Sequence, residues 1–312
     1  MNDKLENYIV FVTGIRGFLG LNLINALLKQ GAEVIGLSLG YINENDIPNN
    51  IIKNEKFHFC KNEKNIKNLL NKYNLNNFQS AFCHFAGISN ANYCQNHPFE
   101  AYSSNVRLTI RVLEFCKEYG VSKFIYPSTG YVYGNELDMP ASENNQLVSD
   151  NIYTASKISA ESLIQSYSKK YELVSVVCRI SNVFGDGISS QTVTGKIIDC
   201  VKKNDKIRLR TLKPIRDFIY IDDVINSFLL LIISENKINY NCYNLSTGRP
   251  ISIKDLATIA CEVFSISKDN IIIDKTRNYP DSYLVLDNEK FKKTFNWIPM
   301  FDLKSGMLKI RG

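Results

Sequence analysis

From Tyr8 to Thr13 the chain reads YIVFVT, an unbroken apolar run closed by a threonine. A run this short and this apolar, rich in β-branched and aromatic residues, predicts a buried strand. The period then changes. Leu19, Leu23 and Leu27 recur one helical turn apart, with Leu28 on the same side, which predicts a helix over 17–30 with one packed face. Glu33-Val-Ile-Gly-Leu37 returns to a strand pattern. Strand, helix and strand joined by short connections make a βαβ unit, whose strands run parallel. The alternation continues, with strands predicted at 56–60, 80–84, 123–127 and 174–180 and helices at 64–73, 99–119 and 151–171. The pattern is that of an α/β fold, a doubly wound parallel sheet covered on both faces.

Beyond residue 180 the rhythm loosens. One helix fits about 192–203, a short strand lies near 217–221, and an apolar helix fits 222–234. A strand-like Cys242-Tyr-Asn-Leu-Ser246 and a helix at 252–264 follow. This half predicts a smaller C-terminal lobe whose chain returns to the main sheet. The Asn- and Lys-rich stretch 43–77 reads as surface loop and polar helix face. No internal repeat is present.

Composition narrows the classes. A chain of 312 residues is long enough for one large core with a smaller lobe. The net charge of +6 is mild and its basic residues are scattered. That fits simple solubility or a weak pull on anionic small molecules, and not a nucleic-acid surface. The eight cysteines, Cys60, Cys83, Cys94, Cys116, Cys178, Cys200, Cys242 and Cys261, include no C-x-x-C pair, and His58, His84 and His97 form no ligand pattern. Neither a metal site nor a disulfide framework is expected, and most of the cysteines read as small buried hydrophobes. The charged N-terminus runs straight into a strand, so no signal peptide is expected. The longest purely apolar run, Phe228–Ile233, is far too short to span a membrane, and a cytoplasmic protein is expected.

Candidate chemistry begins in the loop after the first strand, Phe11-Val-Thr-Gly14-Ile-Arg16-Gly17-Phe18-Leu19-Gly20. Glycines at this place permit a tight turn and let backbone approach a pyrophosphate, while the helix that opens here offers free N–H groups and a positive dipole end. A bare three-glycine match is weak; one that follows a first strand and opens a helix in a βαβ unit is stronger. The other reading is a packing turn without a ligand. A second candidate is Tyr153-Thr-Ala-Ser-Lys157, whose Tyr and Lys share one helical face. A nearby ammonium favours the phenolate and lowers the tyrosine's pKa, so that the phenol can exchange a proton while hydride moves. Alone, this spacing is also what a surface Tyr and Lys give by chance.

The spacing G-x-x-G-x-x-G with Thr13 before it resembles the short-chain dehydrogenase/reductase superfamily, in its extended branch, which acts mainly on nucleotide sugars. Further segments carry the resemblance in order along the chain. Pro127-Ser128-Thr129-Gly130-Tyr131-Val132-Tyr133-Gly134 resembles the family's Ser/Thr loop, which makes Thr129 the hydroxyl that completes the catalytic set with Tyr153 and Lys157. Asn105 matches the structural asparagine, and His84-Phe85-Ala86-Gly87 matches a stretch that lines the cofactor. Glu161 completes the pattern Y-x-x-S-K-x-x-x-E. Arg179-Ile-Ser-Asn182-Val-Phe-Gly185 resembles R-x-x-N-x-[YF]-G, with Asn182 near the sugar or its phosphate. Arg216-Asp217-Phe218 opens a segment in which the resemblance pairs Arg216 with the sugar nucleotide's pyrophosphate. Tyr243–Gly248, the segment Arg277-x-x-x-Asp281 with Leu286-Asp287, and Trp297 resemble the return strand, the segment closing over the nucleotide and the final turn.

The resemblance implies a Rossmann-type NAD(P)-binding domain over 1–180, with returns about 217–247. It implies a sugar-nucleotide-binding lobe from 181–216 and 248–312. The implied cofactor contacts are Gly14, Arg16, Gly17, Phe18, Leu19, Gly20, Ser38, Phe85, Ala86, Gly87, Asn105 and Lys157. The implied substrate contacts are Thr129, Asn182, Arg216 and Arg277. A homodimer packed through 99–119 and 151–171 is implied as well, although a core-facing stripe such as Val112, Phe115 and Cys116 explains those helices equally.

Departures from the family pattern bear on the reaction. The family's 4,6-dehydratases carry an Asp-Glu pair after the catalytic threonine; here Gly130 and Tyr131 stand there, so dehydration lacks its acid and base. Members that prefer NAD usually end the second strand on an acidic residue that binds the ribose hydroxyls. Here that place holds Ser38, and Arg16 is free in sequence terms to pair with a 2′-phosphate, which points to NADP, with NAD as the alternative; a solvated loop arginine is the plain reading. Asn62 stands near the place of an aspartate that often holds adenine. An NADPH-dependent 4-keto sugar-nucleotide reductase is the expectation. The alternative is a nucleoside-diphosphate-hexose 4-epimerase with bound NAD, and the remote one is a non-catalytic dinucleotide sensor. No nucleic acid, membrane or metal is expected to take part.

Overall fold

Strands Tyr8–Thr13 (β1), Glu33–Leu37 (β2), Phe57–Cys60 (β3), Gln79–His84 (β4), Lys123–Thr129 (β5) and Val174–Ile180 (β6) join the strand Tyr240–Leu245 in one seven-stranded sheet. Its order is Tyr240–Leu245, β6, β5, β4, β1, β2, β3. The computed structural model describes residues 5–38, 46–61, 63–70, 73, 78–135, 140–235, 238–273 and 281–312. The sheet is parallel and Rossmann-type, with helices such as Phe18–Lys29 (α1) and Ile152–Tyr171 as its crossovers. β1 is central because its side chains are apolar on both faces; Ile9, Val10, Phe11 and Val12 are all fully buried.

The chain forms two compact units. The first comprises Met1–Ser128, Ser149–Cys178 and Phe228–Cys242, and the second Thr129–Val148, Arg179–Ser227 and Tyr243–Gly312. In the first, aromatic rings set the core. Phe11 stacks on Phe82 at 5.8 Å, and Phe115 meets both edge-on. Register carries the functional consequence. Thr13 pairs with Leu37 on one side and His84 on the other, so β1, β2 and β4 end level. The loops that begin at Gly14, Ser38 and Phe85 therefore leave the sheet side by side, at the strand ends where ligands bind in this architecture. At the opposite end of β5, Lys123 Nζ donates to the carbonyls of Leu231, Ile232 and Ser234, capping the C-terminus of the helix Ile221–Ile233.

The second unit is assembled from small pieces. Asn182–Phe184 pairs with Phe218–Tyr220, Ile215–Arg216 pairs with Ile251–Ser252 and Tyr283–Leu284, and Ile207–Leu209 pairs with Ile271–Ile273. Helices Val193–Lys202, Ile253–Phe264, Glu289–Phe295 and Leu303–Arg311 cover them. Tyr243, Phe291, Phe295 and Trp297 form an aromatic cluster.

Several elements differ from the sequence pattern. The helix predicted over 99–119 is three pieces: Pro98–Tyr102, a π-helical turn Ser103–Arg107, and Leu108–Glu118. The wide turn sits where the Asn105 side chain is tied down to other segments, and a one-residue bulge leaves hydrophobic spacing almost unchanged. β5 runs two residues past its predicted end, to Thr129. The strand predicted at 217–221 is interrupted at Asp217, whose buried carboxylate accepts from Thr247 N, Thr247 Oγ1 and Gly248 N at 2.7–3.0 Å. The final two helices and the strand Asn182–Phe184 are short and were not predicted. Among the described residues no helix is long and apolar enough to cross a membrane.

Candidate active site

The first half of the site grows from the end of β1. Thr13 Oγ1 lies 2.7 Å from His84 Nδ1 and accepts from Ala86 N at 3.2 Å. On the far side of the ring, His84 Nε2 is 3.2 Å from Thr109 Oγ1, which itself donates to Asn105 O at 2.7 Å. Thr109 has thus spent its proton, so the ring proton sits on Nε2 and Nδ1 accepts from Thr13. Burial, helped by the charge of Lys157, pushes the His84 pKa down to about 3, so the imidazole is neutral. This directed chain of bonds locks the glycine loop to the 85–87 segment.

Close approach explains the glycines. Gly14 has φ +70°, and a Cβ there would lie 2.6 Å from the Phe85 carbonyl carbon. A Cβ on Gly20 would lie 2.3 Å from Gly14 O. Gly17 differs, since a Cβ on it would meet only Gly14 O, at 3.1 Å, and otherwise project into open space. Gly17 is the N-cap of α1, no side chain caps that helix, and its first turn holds no acidic residue. The amides of Phe18, Leu19 and Gly20 lack intrahelical acceptors by helix geometry. A Cβ-free cradle in front of uncapped amides fits the pyrophosphate of a dinucleotide.

Around that loop the other implied cofactor contacts are less uniform. Arg16 Nη1 donates to Asp46 Oδ2 at 2.6 Å, with the two side chains 49% and 43% exposed. Ser38 is buried, with its backbone N–H on Cys60 O. Phe85 packs on Phe228 at 5.0 Å between ring centres. Asn105 reaches inward: its Oδ1 accepts from Ile88 N at 2.7 Å, and its Nδ2 donates to Ile88 O and to Ser156 Oγ at 3.0 and 2.9 Å. It braces the loop after β4 against the helix that carries Tyr153. Asn62 lies outside the described residues.

The helix Ile152–Tyr171 starts on a capping box, in which Asn151 and Thr154 satisfy each other's backbone N–H groups. That start places Tyr153 in the first turn and Lys157 one turn on. Ser156 Oγ donates to Tyr153 O at 2.7 Å. Lys157 is buried; its Nζ donates to Pro127 O at 2.9 Å and lies 4.5 Å above the Tyr126 ring. Burial pushes its pKa down to about 8, against the opposing pull of Glu161 and Cys94. Glu161 in turn accepts from Ser128 Oγ. An ammonium held in low dielectric one turn from a tyrosine is the arrangement that lowers a phenol's pKa.

A separate set of the implied contacts lies in the second unit. Thr129 is buried at the end of β5, and its Oγ1 accepts from Tyr131 N at 3.3 Å. Tyr131 OH donates to Asn182 Oδ1 at 2.9 Å, and Asn182 Nδ2 donates to Asp217 O at 3.2 Å. Arg216 lies over the Tyr131 ring, 5.9 Å from its centre. Its Nη1 donates to Ile215 O and Ser282 O, and its Nη2 to Ser282 Oγ. Among the described residues no carboxylate pairs with Arg216, whose partners are the Ile215 and Ser282 oxygens. Arg277 lies outside the described residues. Sequence reading missed Tyr126, Asp46 and Ser282 as neighbours of site residues, and took Tyr131 only as a missing carboxylate. Ser282 and Asp46 lie 66 and 30 positions from their arginines, so no local spacing announces them.

A sequence model described as the NAD dependent epimerase/dehydratase family matches residues 10–246. Among curated proteins, the chain is 29% identical over 308 residues to a putative UDP-glucose 4-epimerase of Methanocaldococcus jannaschii, covering 97% of both chains. It is 28% identical to the dTDP-D-glucose 4,6-dehydratase of Homo sapiens, over 96% of this chain and 88% of that one. Among solved structures, it is similar to a UDP-glucose 4-epimerase from Thermotoga maritima bound to UDP-glucose, with a TM-score of 0.82, 22% identity and 97% coverage of both chains. It is similar also to a UDP-N-acetylglucosamine 4-epimerase from Methanobrevibacter ruminantium, with a TM-score of 0.83, 22% identity and coverage of 99% and 97%.

Proposed function

The chain belongs to the NAD dependent epimerase/dehydratase family, enzymes of the extended short-chain dehydrogenase/reductase superfamily, and from that membership we propose that it is an NAD-dependent 4-epimerase of a nucleoside-diphosphate hexose. Two family reactions compete, epimerisation and 4,6-dehydration. Dehydration needs an acid and a base after the catalytic threonine, and Gly130 and Tyr131 supply neither carboxylate. Epimerisation needs only reversible hydride and proton exchange at one carbon. The nicotinamide, when bound, supplies the hydride acceptor and donor. Tyr153 moves the proton at the C4 oxygen, Lys157 stabilises the phenolate, and Thr129 holds the same oxygen by a hydrogen bond. Gly14, Gly17 and Gly20 seat the dinucleotide, and Asn182 and Arg216 bind the sugar nucleotide.

The observation that carries the choice of epimerase is the pair between Arg16 and Asp46. A carboxylate on this guanidinium competes with a 2′-phosphate and opposes NADP, and an enzyme that keeps NAD and reoxidises it each cycle suits epimerisation. One observation favours the second reading, an NADPH-dependent 4-keto reductase. The second strand leads into Ser38 instead of an acidic residue, and an exposed ion pair such as Arg16–Asp46 is worth under about 1 kcal/mol, so a phosphate can displace it. The test is to denature the purified protein, identify any released dinucleotide, and titrate the emptied protein with NADH and NADPH. Stoichiometric NAD and NADH preference support the epimerase. An empty site with selective NADPH binding, lost in Arg16→Ala, favours the reductase.

A further inference from the structure

Tyr131 is a large aromatic side chain left 39% exposed, yet it is fixed at both ends. Its backbone N–H sits on Thr129 Oγ1 and its hydroxyl on Asn182 Oδ1. Its ring lies against the Arg216 guanidinium. The Asp217 carbonyl, which can only accept, turns the Asn182 Nδ2 toward itself, and the Tyr131 hydroxyl holds the amide in that orientation by donating to its Oδ1.

The ring bears on which part of Arg216 is free. Among the described residues, partners take three of the guanidinium's five N–H donors: both of Nη1, on Ile215 O and Ser282 O, and one of Nη2, on Ser282 Oγ. Ser282 grips the terminal fork through both nitrogens. No described residue takes the Nε–H or the remaining Nη2–H, which form a lateral pair of parallel donors matched to two oxygens of a phosphate. A long arginine side chain has several rotamers, and the Tyr131 ring beside the guanidinium, 5.9 Å from ring centre to Cζ, favours the one seen.

We infer that Tyr131 is a positioning residue of the substrate site, which through Asn182 and Arg216 presets the donors that take the diphosphate of the sugar nucleotide. The inference rests on the nucleotide-sugar reading above. It gives position 131 a role beyond the mere lack of a carboxylate. Beside it, a Cβ on Gly130 would lie 2.9 Å from the Leu286 Cδ1, so a larger residue there requires the Leu286 side chain to shift.

The test compares wild type, Tyr131→Phe and Tyr131→Ala as full chains. Calorimetric titration with UDP and with dTDP gives diphosphate affinity, titration with NAD gives cofactor affinity, and steady-state kinetics gives KM and kcat. Phenylalanine keeps the ring and loses the bond to Asn182; roughly threefold weaker nucleoside-diphosphate binding is expected. Alanine loses both, and roughly tenfold is expected, with KM rising in step, kcat and NAD affinity nearly unchanged. If both variants bind the diphosphates as wild type does, the inference is overturned while the function stands. If wild type binds NAD but neither diphosphate, the nucleotide-sugar reading falls and takes this inference with it. Should the alanine variant fail to fold, the phenylalanine variant alone decides.

Discussion

Replacing Lys157 with methionine separates what the site does for chemistry from what it does for stability. The lysine is buried, and its pKa is pushed from 10.5 to about 8. At 1.36 kcal/mol for each tenfold change in proton affinity, keeping the ammonium at pH 7 costs the native state about 3 kcal/mol. Methionine follows the same channel with an unbranched apolar chain. It forfeits the bond to Pro127 O and leaves that carbonyl unpaired, a loss of about 1–3 kcal/mol. The net expectation at pH 7 is a variant that is between unchanged and about 2 kcal/mol more stable, while turnover falls at least a hundredfold. Between pH 8 and 10.5 the unfolded wild-type chain still holds the lysine proton and the native one has lost it. Wild-type stability therefore gains with rising pH through that window, the variant lacks the gain, and the gap between them closes. Urea unfolding followed by circular dichroism at pH 7 and pH 9.5 reads both quantities. A variant more than about 2 kcal/mol less stable at pH 7, with a gap that pH does not change, would refute the reasoning.

Tyr153→Phe should keep NAD affinity and melting temperature while lowering kcat by roughly 10²- to 10⁴-fold, measured by single-turnover kinetics. Gly20→Ala places a Cβ 2.3 Å from Gly14 O, so the loop must move; at least roughly tenfold weaker NAD binding and a lower melting temperature are expected, read by titration and calorimetry. His84 should stay neutral and protonated on Nε2 from pH 8 down to pH 5, which nitrogen NMR of the ring reports directly. Because the unfolded chain binds that proton near pH 6.5 and the native chain only near 3, His84 also makes the fold less stable as pH falls through this interval.

The parallel sheet was legible because β1, β2 and β4 are buried on both faces and the amphipathic period of α1 follows at once. Gly14, Gly17 and Gly20 were legible because the cradle is contiguous in sequence, although the contact that requires Gly14 comes from Phe85 and Gly17 keeps the helix N-terminus open. Tyr153 and Lys157 share one turn, so spacing alone pairs them. What escaped depended on contacts distant in sequence. The π-helical turn at Asn105 follows from bonds to Ile88 and Ser156, 17 and 51 positions away. Asp46 on Arg16 sits in an Asn- and Lys-rich stretch that reads as plain surface. The role of Tyr131 needs Asn182 and Arg216 beside it, and an aromatic residue in a Ser/Thr loop carries no such signal by itself.

The account's central claim is reversible oxidation and return of hydride at C4 of a nucleoside-diphosphate hexose without net consumption of cofactor. The direct measurement is proton NMR of UDP- and dTDP-linked hexoses incubated with the purified protein and catalytic NAD. The account predicts that one sugar and its C4 epimer approach the same equilibrium mixture from either side, with no accumulating NADH, and that Tyr153→Phe abolishes the exchange. A 4-keto-6-deoxy product, or turnover that consumes NADPH one for one with no epimer formed, would contradict it.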